Sequence, residues 1–178
     1  MSEENLAMVV AADPQLAKNY LDRTREASWQ IPSNYEREIG DILATPVSLL
    51  PSIETPEDYK TLVIALSVLK QCKQRVATIR HHLGGLNFRW SKLQKQATKF
   101  IETKYYTQLN NVRADTKKSV VVNALEPISS GVEELEHLVD NADRCLKHLS
   151  DLNWAVTNSG ELVVQYFNAI KVFVPREI

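Results

Sequence analysis

The apolar residues in the middle of the chain repeat every seven positions. With Leu62 opening the first heptad, Leu62, Leu69, Val76, Leu83, Trp90 and Ala97 occupy the a positions. Ala65, Cys72, Ile79, Leu86, Leu93 and Phe100 occupy the d positions. A seam this regular over more than five heptads predicts one long helix buried along a narrow line. Gly84 and Gly85 fall at b and c without shifting the register, so the helix is expected to run through them and to bend there if it bends at all. Thr55-Pro56-Glu57-Asp58 marks its start: a capping threonine, a proline at the first helical position and two acids at the positive end of the helix dipole. Continued to about Leu109, some ~55 residues would extend roughly 80 Å, which calls for a partner helix along the seam.

A second stripe supplies that partner. Leu135, Leu138, Ala142, Cys145, Leu149, Leu152 and Val156, widened by Val139 and Leu146, predict a helix from about Gly131 to Asn153, capped by Ser129 or Ser130. The two helices are expected to fold back as an antiparallel hairpin. Pro127 and Gly131 read as interruptions ahead of the second helix and Asn158-Ser159-Gly160 as a turn behind it. Glu161–Phe173 then reads as a last short helix on Val163, Phe167 and Ile170, ended by Pro175. Between the hairpin arms, Asp115–Ala124 continues as helix or, because Val120, Val121 and Val122 are β-branched, forms a strand.

The beginning of the chain is less periodic. After a frayed start over 1–12, Asp13-Pro14 is a helix entry, with a helix to about Trp29 that places Leu16, Tyr20 and Leu21 near one face. Ile31-Pro32-Ser33-Asn34 breaks it, Tyr35–Leu43 forms a short helix, and Pro46, Pro51 and Pro56 punctuate a linker. The expected fold is all-α: an elongated helical hairpin or coiled coil with a long basic helix (55–178), plus a small acidic N-terminal helical appendage and linker (1–54).

Composition supports this reading and adds little to it. A hydrophobic content of 44% excludes wholesale disorder, and five glycines in 178 residues suit long helices. The acidic start Met1-Ser-Glu-Glu is unlike a signal peptide, and the apolar run Leu62–Leu66 is too short to span a bilayer. A cytoplasmic protein without a membrane partner is expected, with Cys72 and Cys145 as small core residues in a reducing compartment.

Charge changes the picture. The formal net charge is only −1, but between Lys70 and Lys118 twelve basic residues face two acids, Glu102 and Asp115, a local net of +10. Residues 1–54 and 119–178 each carry −5. The basic residues are Lys70, Lys73, Arg75, Arg80, Arg89, Lys92, Lys95, Lys99, Lys104, Arg113, Lys117 and Lys118. Along the seam, from Lys70 to Lys99, they avoid a and d and surround the helix, a distribution that follows a phosphate backbone and does not read base edges. Phe88, Trp90, Phe100, Tyr105 and Tyr106 lie among them, although Trp90 and Phe100 sit on the seam and are expected in the core.

Catalytic and cofactor signatures are missing from the sequence: it has no Walker-type glycine loop, G-x-G-x-x-G, G-x-S-x-G or C-x-x-C. The single Glu134-x-x-His137 lacks the second copy that a di-iron bundle needs, and His81-His82 point about 100° apart on a helix. No enzyme activity, cofactor or metal is expected.

A long basic helix ending in the pair Tyr105-Tyr106, a lysine-rich entry Lys117-Lys118-Ser119-Val120 and a second helix over Val132–Trp154 together resemble the phage recombination-mediator family typified by UvsY. The resemblance covers residues 60–170. It implies a small helical protein that binds single-stranded DNA, assembles into rings and helps a RecA-like recombinase displace single-strand-binding protein, in the host cytoplasm if phage-encoded. The expected function is therefore a non-enzymatic, single-stranded nucleic-acid-binding accessory, DNA or RNA, in which the twelve basic residues hold the backbone and Tyr105 and Tyr106 stack on bases. A homo-oligomer is expected because the seam needs covering and acidic flanks can meet the basic middle of a neighbour. The rival reading is a helical scaffold or inhibitor that docks its basic helix on an acidic protein partner.

Overall fold

The structure is a computed structural model that describes residues 3–43 and 56–173, with side chains described over 5–43, 60–158 and 160–161. Every regular element among the described residues is helical. In chain order these are α1 (Glu3–Ala11), α2 (Pro14–Leu16), α3 (Asn34–Leu43), α4 (Pro56–Lys104), α5 (Tyr106–Asn110), α6 (Ala114–Ala124) and α7 (Glu126–Phe173). A π-type turn (Ala17–Leu21) and two 3-10 turns (Asp22–Arg25, Ala27–Trp29) follow α2. The chain divides into two compact units, Met1–Ser33 with His81–Val139, and Asn34–Arg80 with Asp140–Ile178. This division cuts across the boundary at residue 54 that sequence reasoning drew, because the first 33 residues pack with the middle of the chain.

In the first unit the seam of α4 is buried as its periodicity requires: Leu83, Leu86, Trp90, Leu93 and Ala97 are all inside. At the end of the helix Ile101 is fully buried and Phe100 only half-buried. A straight helix drifts about 20° per heptad against a strict seven-residue repeat, so the buried line moves from d toward e. Gln94 Nε2 donates to Ser129 Oγ (3.0 Å), and Trp90 lies against Gly131, which sets α7 antiparallel to α4 here. Helix α6 packs closely on α1. Its Val120 and Ala124 are buried while Val122 is exposed, an i, i+4 pattern that makes the triple valine a helix and removes the strand alternative.

In the second unit Leu62, Ala65, Val76 and Ile79 of α4 are buried with Ala142, Cys145, Leu149 and Val156 of α7, while Leu69 and Cys72 are half-buried. Arg80 grips Asp143 with two prongs, Nε to Oδ1 at 3.0 Å and Nη2 to Oδ2 at 3.3 Å. Leu62 lies 3.9 Å from the position of a Cβ on Gly160, so the arms are antiparallel here too. Arg75 ties α4 to Glu38 of α3. In both units, then, the chain's own α7 lies along the seam, as the expected antiparallel hairpin requires.

Six local expectations need correction. The start expected to fray over 1–12 is helix α1 from Glu3 to Ala11, with Leu6 and Val10 buried. Pro127 does not interrupt a helix; it sits in the first turn of α7, where its missing N–H costs nothing. Gly131 is likewise inside α7, which starts at Glu126, so Ser129 and Ser130 are not caps. Asn158-Ser159-Gly160 is helix, not turn, and Glu161–Phe173 is the continuation of α7; burial of the stripe that ends at Val156 outweighs a Gly cost of about 1 kcal/mol. The single helix expected over Pro14–Trp29 is α2 plus three short turns, and α4 ends at Lys104, with Tyr105 leaving helical geometry (φ −105°, ψ 22°) before α5. Through Gly84 and Gly85, by contrast, α4 is helical as expected. The cap at Thr55, most of the proline linker and Pro175 lie outside the described residues.

Candidate nucleic-acid interface

Residues Arg89 to Lys118 of the candidate set lie in the first unit; Lys70, Lys73, Arg75 and Arg80 lie in the second. The structure separates them by what they touch. Arg75 and Arg80 are paired with Glu38 and Asp143. Lys117 is paired with Glu102 (3.4 Å), and the Arg89 guanidinium lies 5.6 Å from the ring centre of Trp29. Lys104 and Tyr105 are also occupied, and by one residue.

That residue is Asp13. It caps α2 by accepting from the Gln15 N–H (2.9 Å), as the sequence predicts, but it is also buried, only 4% exposed. Lys104 Nζ lies 2.8 Å from Asp13 Oδ2, and the Tyr105 hydroxyl donates to the same oxygen at 2.9 Å. Lys104 also donates to Gln15 Oε1 (2.9 Å). Burial pushes the Asp13 carboxyl up, but the hydrogen bonds from Lys104, Tyr105 and the Gln15 amide, with the charge of Lys104, outweigh it and hold the group below the ordinary carboxylate value. Burial first, then the bond to Asp13 and its charge, push the Tyr105 hydroxyl up to about 12. Tyr105 therefore pins the N-terminal segment to the end of α4 through its hydroxyl, and its ring, which sequence reasoning expected to stack on a base, is half-buried.

The sign of each shift fixes a pH response. Asp13 contributes stability above its unfolded pKa of about 4, and loses it as pH falls through the lower folded value. Tyr105 contributes below pH 10.0 and loses it as pH rises through about 12. Asp13→Ala is expected to cost about 2 kcal/mol from the lost cap and the stranded partners. It should also flatten the acid limb of the stability profile and lower the pH at which Tyr105 titrates, read by chemical denaturation across pH and by phenolate absorbance. An unchanged acid limb and an unchanged Tyr105 titration would remove Asp13 from this role.

In the second unit Lys70 and Lys73 are exposed and make no ion pair among the described residues; in the first unit the open basic residues include one outward stripe. Phe88, Lys92, Lys95 and Lys99 follow one another at spacings of four, three and four, so they share a face of α4. That face is opposite Leu86, Leu93 and Ala97, which are buried. All four stripe residues are exposed, Phe88 by 71%. The three lysines make no ion pair among the described residues, and Glu102, the acid nearest to them in sequence, is already engaged by Lys117. From Lys92 to Lys99 the stripe spans about 10 Å at 1.5 Å per residue. Arg113, Lys118 and Tyr106, the last 66% exposed, are further open groups of the same unit. Sequence reasoning named Phe88 only as a neighbour of the basic run; its place four residues before Lys92 was the available signal that it belongs to the stripe.

Among the described residues no group of three or more His, Cys, Asp or Glu side chains could hold a metal ion. Cys72 and Cys145 are free thiols, and burial, with Cys72 beside it, pushes the Cys145 thiol up, away from thiolate chemistry. No described helix is long and apolar enough to cross a membrane. No protein-family model matches this chain, and neither the curated proteins nor the solved structures contain a significant match to it.

Proposed function

We propose that this protein is a non-enzymatic accessory that binds single-stranded nucleic acid through the outer face of α4. The observation that carries the reading is the stripe of Lys92, Lys95 and Lys99: exposed, in line, without acidic partners and headed by the exposed ring of Phe88. Lysines so arranged neutralise successive phosphates and release counterions, and a flanking aromatic suits an unstacked base. The narrower role of recombination mediator, loading a RecA-like recombinase against single-strand-binding protein, extends this reading on the family resemblance alone.

Self-association belongs to the same proposal but now concerns another surface. With α7 along the seam, the apolar surface assigned here to a second copy is Val63, Ile64 and Val68 of α4 in the second unit, which are 50%, 63% and 40% exposed. A titration of fluorescent single- and double-stranded oligonucleotides at two salt concentrations, with sedimentation of the same samples, tests both parts. Tighter binding to the single strand, weakening steeply with salt, and an oligomer are expected. Absence of binding at low salt would defeat the reading in favour of an acidic protein partner, and a monomer would defeat self-association.

A further inference from the structure

Beside the stripe, the first unit carries an open groove of about 530 Å³. One wall is the outer side of α4, with Gln96, Lys99 and Phe100. The other is the irregular segment after α2, with Asn19 and Tyr20 from the π-type turn and Arg23 from the 3-10 turn that follows. Its volume lies within the roughly 300–1,000 Å³ of small-ligand sites. Its charged lining residues are Arg23 and Lys99, both basic. The nearest acid in sequence, Asp22, is turned to Arg25 at 3.4 Å. Phe100 and Tyr20 are half-buried, with ring centres 5.5 Å apart and planes tilted by 48°. Asn19 and Gln96 are exposed, and their side-chain amides make no hydrogen bond among the described residues. Each offers one acceptor and two donors.

We propose that this groove seats one nucleotide unit of the bound single strand, its phosphate at Arg23 and Lys99, its base against Phe100 and Tyr20, and its polar edge at Asn19 and Gln96. The inference rests on the single-strand reading above and gives it a specific subsite. Lys99 belongs to both stripe and groove, so a backbone following the stripe arrives at the groove without crossing an acidic residue that lines it. Two aromatic rings with unused amides beside them suit a flat heterocycle with a polar edge, whereas a bare anion would need only the two cations.

The full chain, its Arg23→Gln variant, its Asn19→Ala/Gln96→Ala variant and Lys92→Gln are titrated with a fluorescent oligothymidylate and with a strand of equal length carrying abasic sites. Circular dichroism checks that the exposed substitutions leave the fold intact. Arg23→Gln is expected to weaken binding to the intact strand about fivefold at 0.1 M salt, the value of one single-strand phosphate contact. The double variant is expected to weaken binding to the intact strand and leave the abasic strand unaffected. If Arg23→Gln and the double variant bind like wild type while Lys92→Gln binds more weakly, the groove is not a subsite and the stripe stands. If the wild type binds neither strand, the single-strand reading itself fails.

Discussion

Reversing Lys92, Lys95 and Lys99 together to Glu is expected to reduce single-strand affinity by a factor of about 100 or more at 0.1 M salt. Each single-strand phosphate contact contributes about 0.7 of a decade per decade of salt, so three contacts measured one decade below 1 M amount to about two decades, and reversal adds repulsion to the loss. The loss should be alike for all base sequences, because lysine heads on a helix surface meet the backbone and do not form the bidentate pairs that distinguish bases. The fold should be unaffected. The three side chains are exposed, none makes an ion pair among the described residues, and none lies at a or d of the seam. Fluorescence anisotropy against several sequences, with circular dichroism as the control, reads both parts. Wild-type affinity in a folded triple variant would remove the stripe from the interface.

The second large effect is on stability. A methyl group at Gly131 would stand 2.1 Å from Trp90 Cζ3 and 2.6 Å from both Cε3 and Cη2. The indole cannot step aside freely. Its Nε1–H donates to the Trp29 carbonyl (3.2 Å), and its ring meets Trp29 edge-on with centres 6.2 Å apart. Gly131→Ala is therefore expected to destabilise the protein by about 3 kcal/mol, at the upper end of ordinary overpacking. Gly85→Ala supplies the contrast. A Cβ at Gly85 meets nothing within 4 Å, so helix propensity alone acts and a gain of up to about 1 kcal/mol is expected. Chemical denaturation of the two variants should give opposite signs. Adding Trp90→Leu to Gly131→Ala should recover part of the loss, since the clash lies with the indole; two Gly→Ala variants of equal stability would show that Trp90 does not pack there.

The long seam was legible because an a/d pattern is written in local sequence and survives without knowledge of the partner. The limits of α7 were not. Pro127, Gly131 and Asn158-Ser159-Gly160 are weak breakers taken one at a time, and burial of a continuous apolar face overrides them. Gly131 in particular looks like an interruption until Trp90 is placed over it, 41 residues away in the chain. The basic run was legible as charge but not as pairing. Glu38, Asp143 and Asp13, which occupy Arg75, Arg80 and Lys104, come from distant segments and carry no periodic mark. Asp13 was readable as a cap from Asp13-Pro14, whereas its bond to Tyr105 spans 92 positions. Separation along the chain also hid Arg23, which the sequence places in an acidic appendage and the structure places beside Lys99.

The central claim is that the lysines of the α4 stripe bind successive phosphates of a single strand. It is tested most directly by the slope of log affinity against log salt for the wild type and for the Lys92→Gln/Lys95→Gln/Lys99→Gln variant. At about 0.7 per phosphate contact, loss of three contacts should make the slope shallower by about 2. A slope unchanged by the triple substitution would contradict the account.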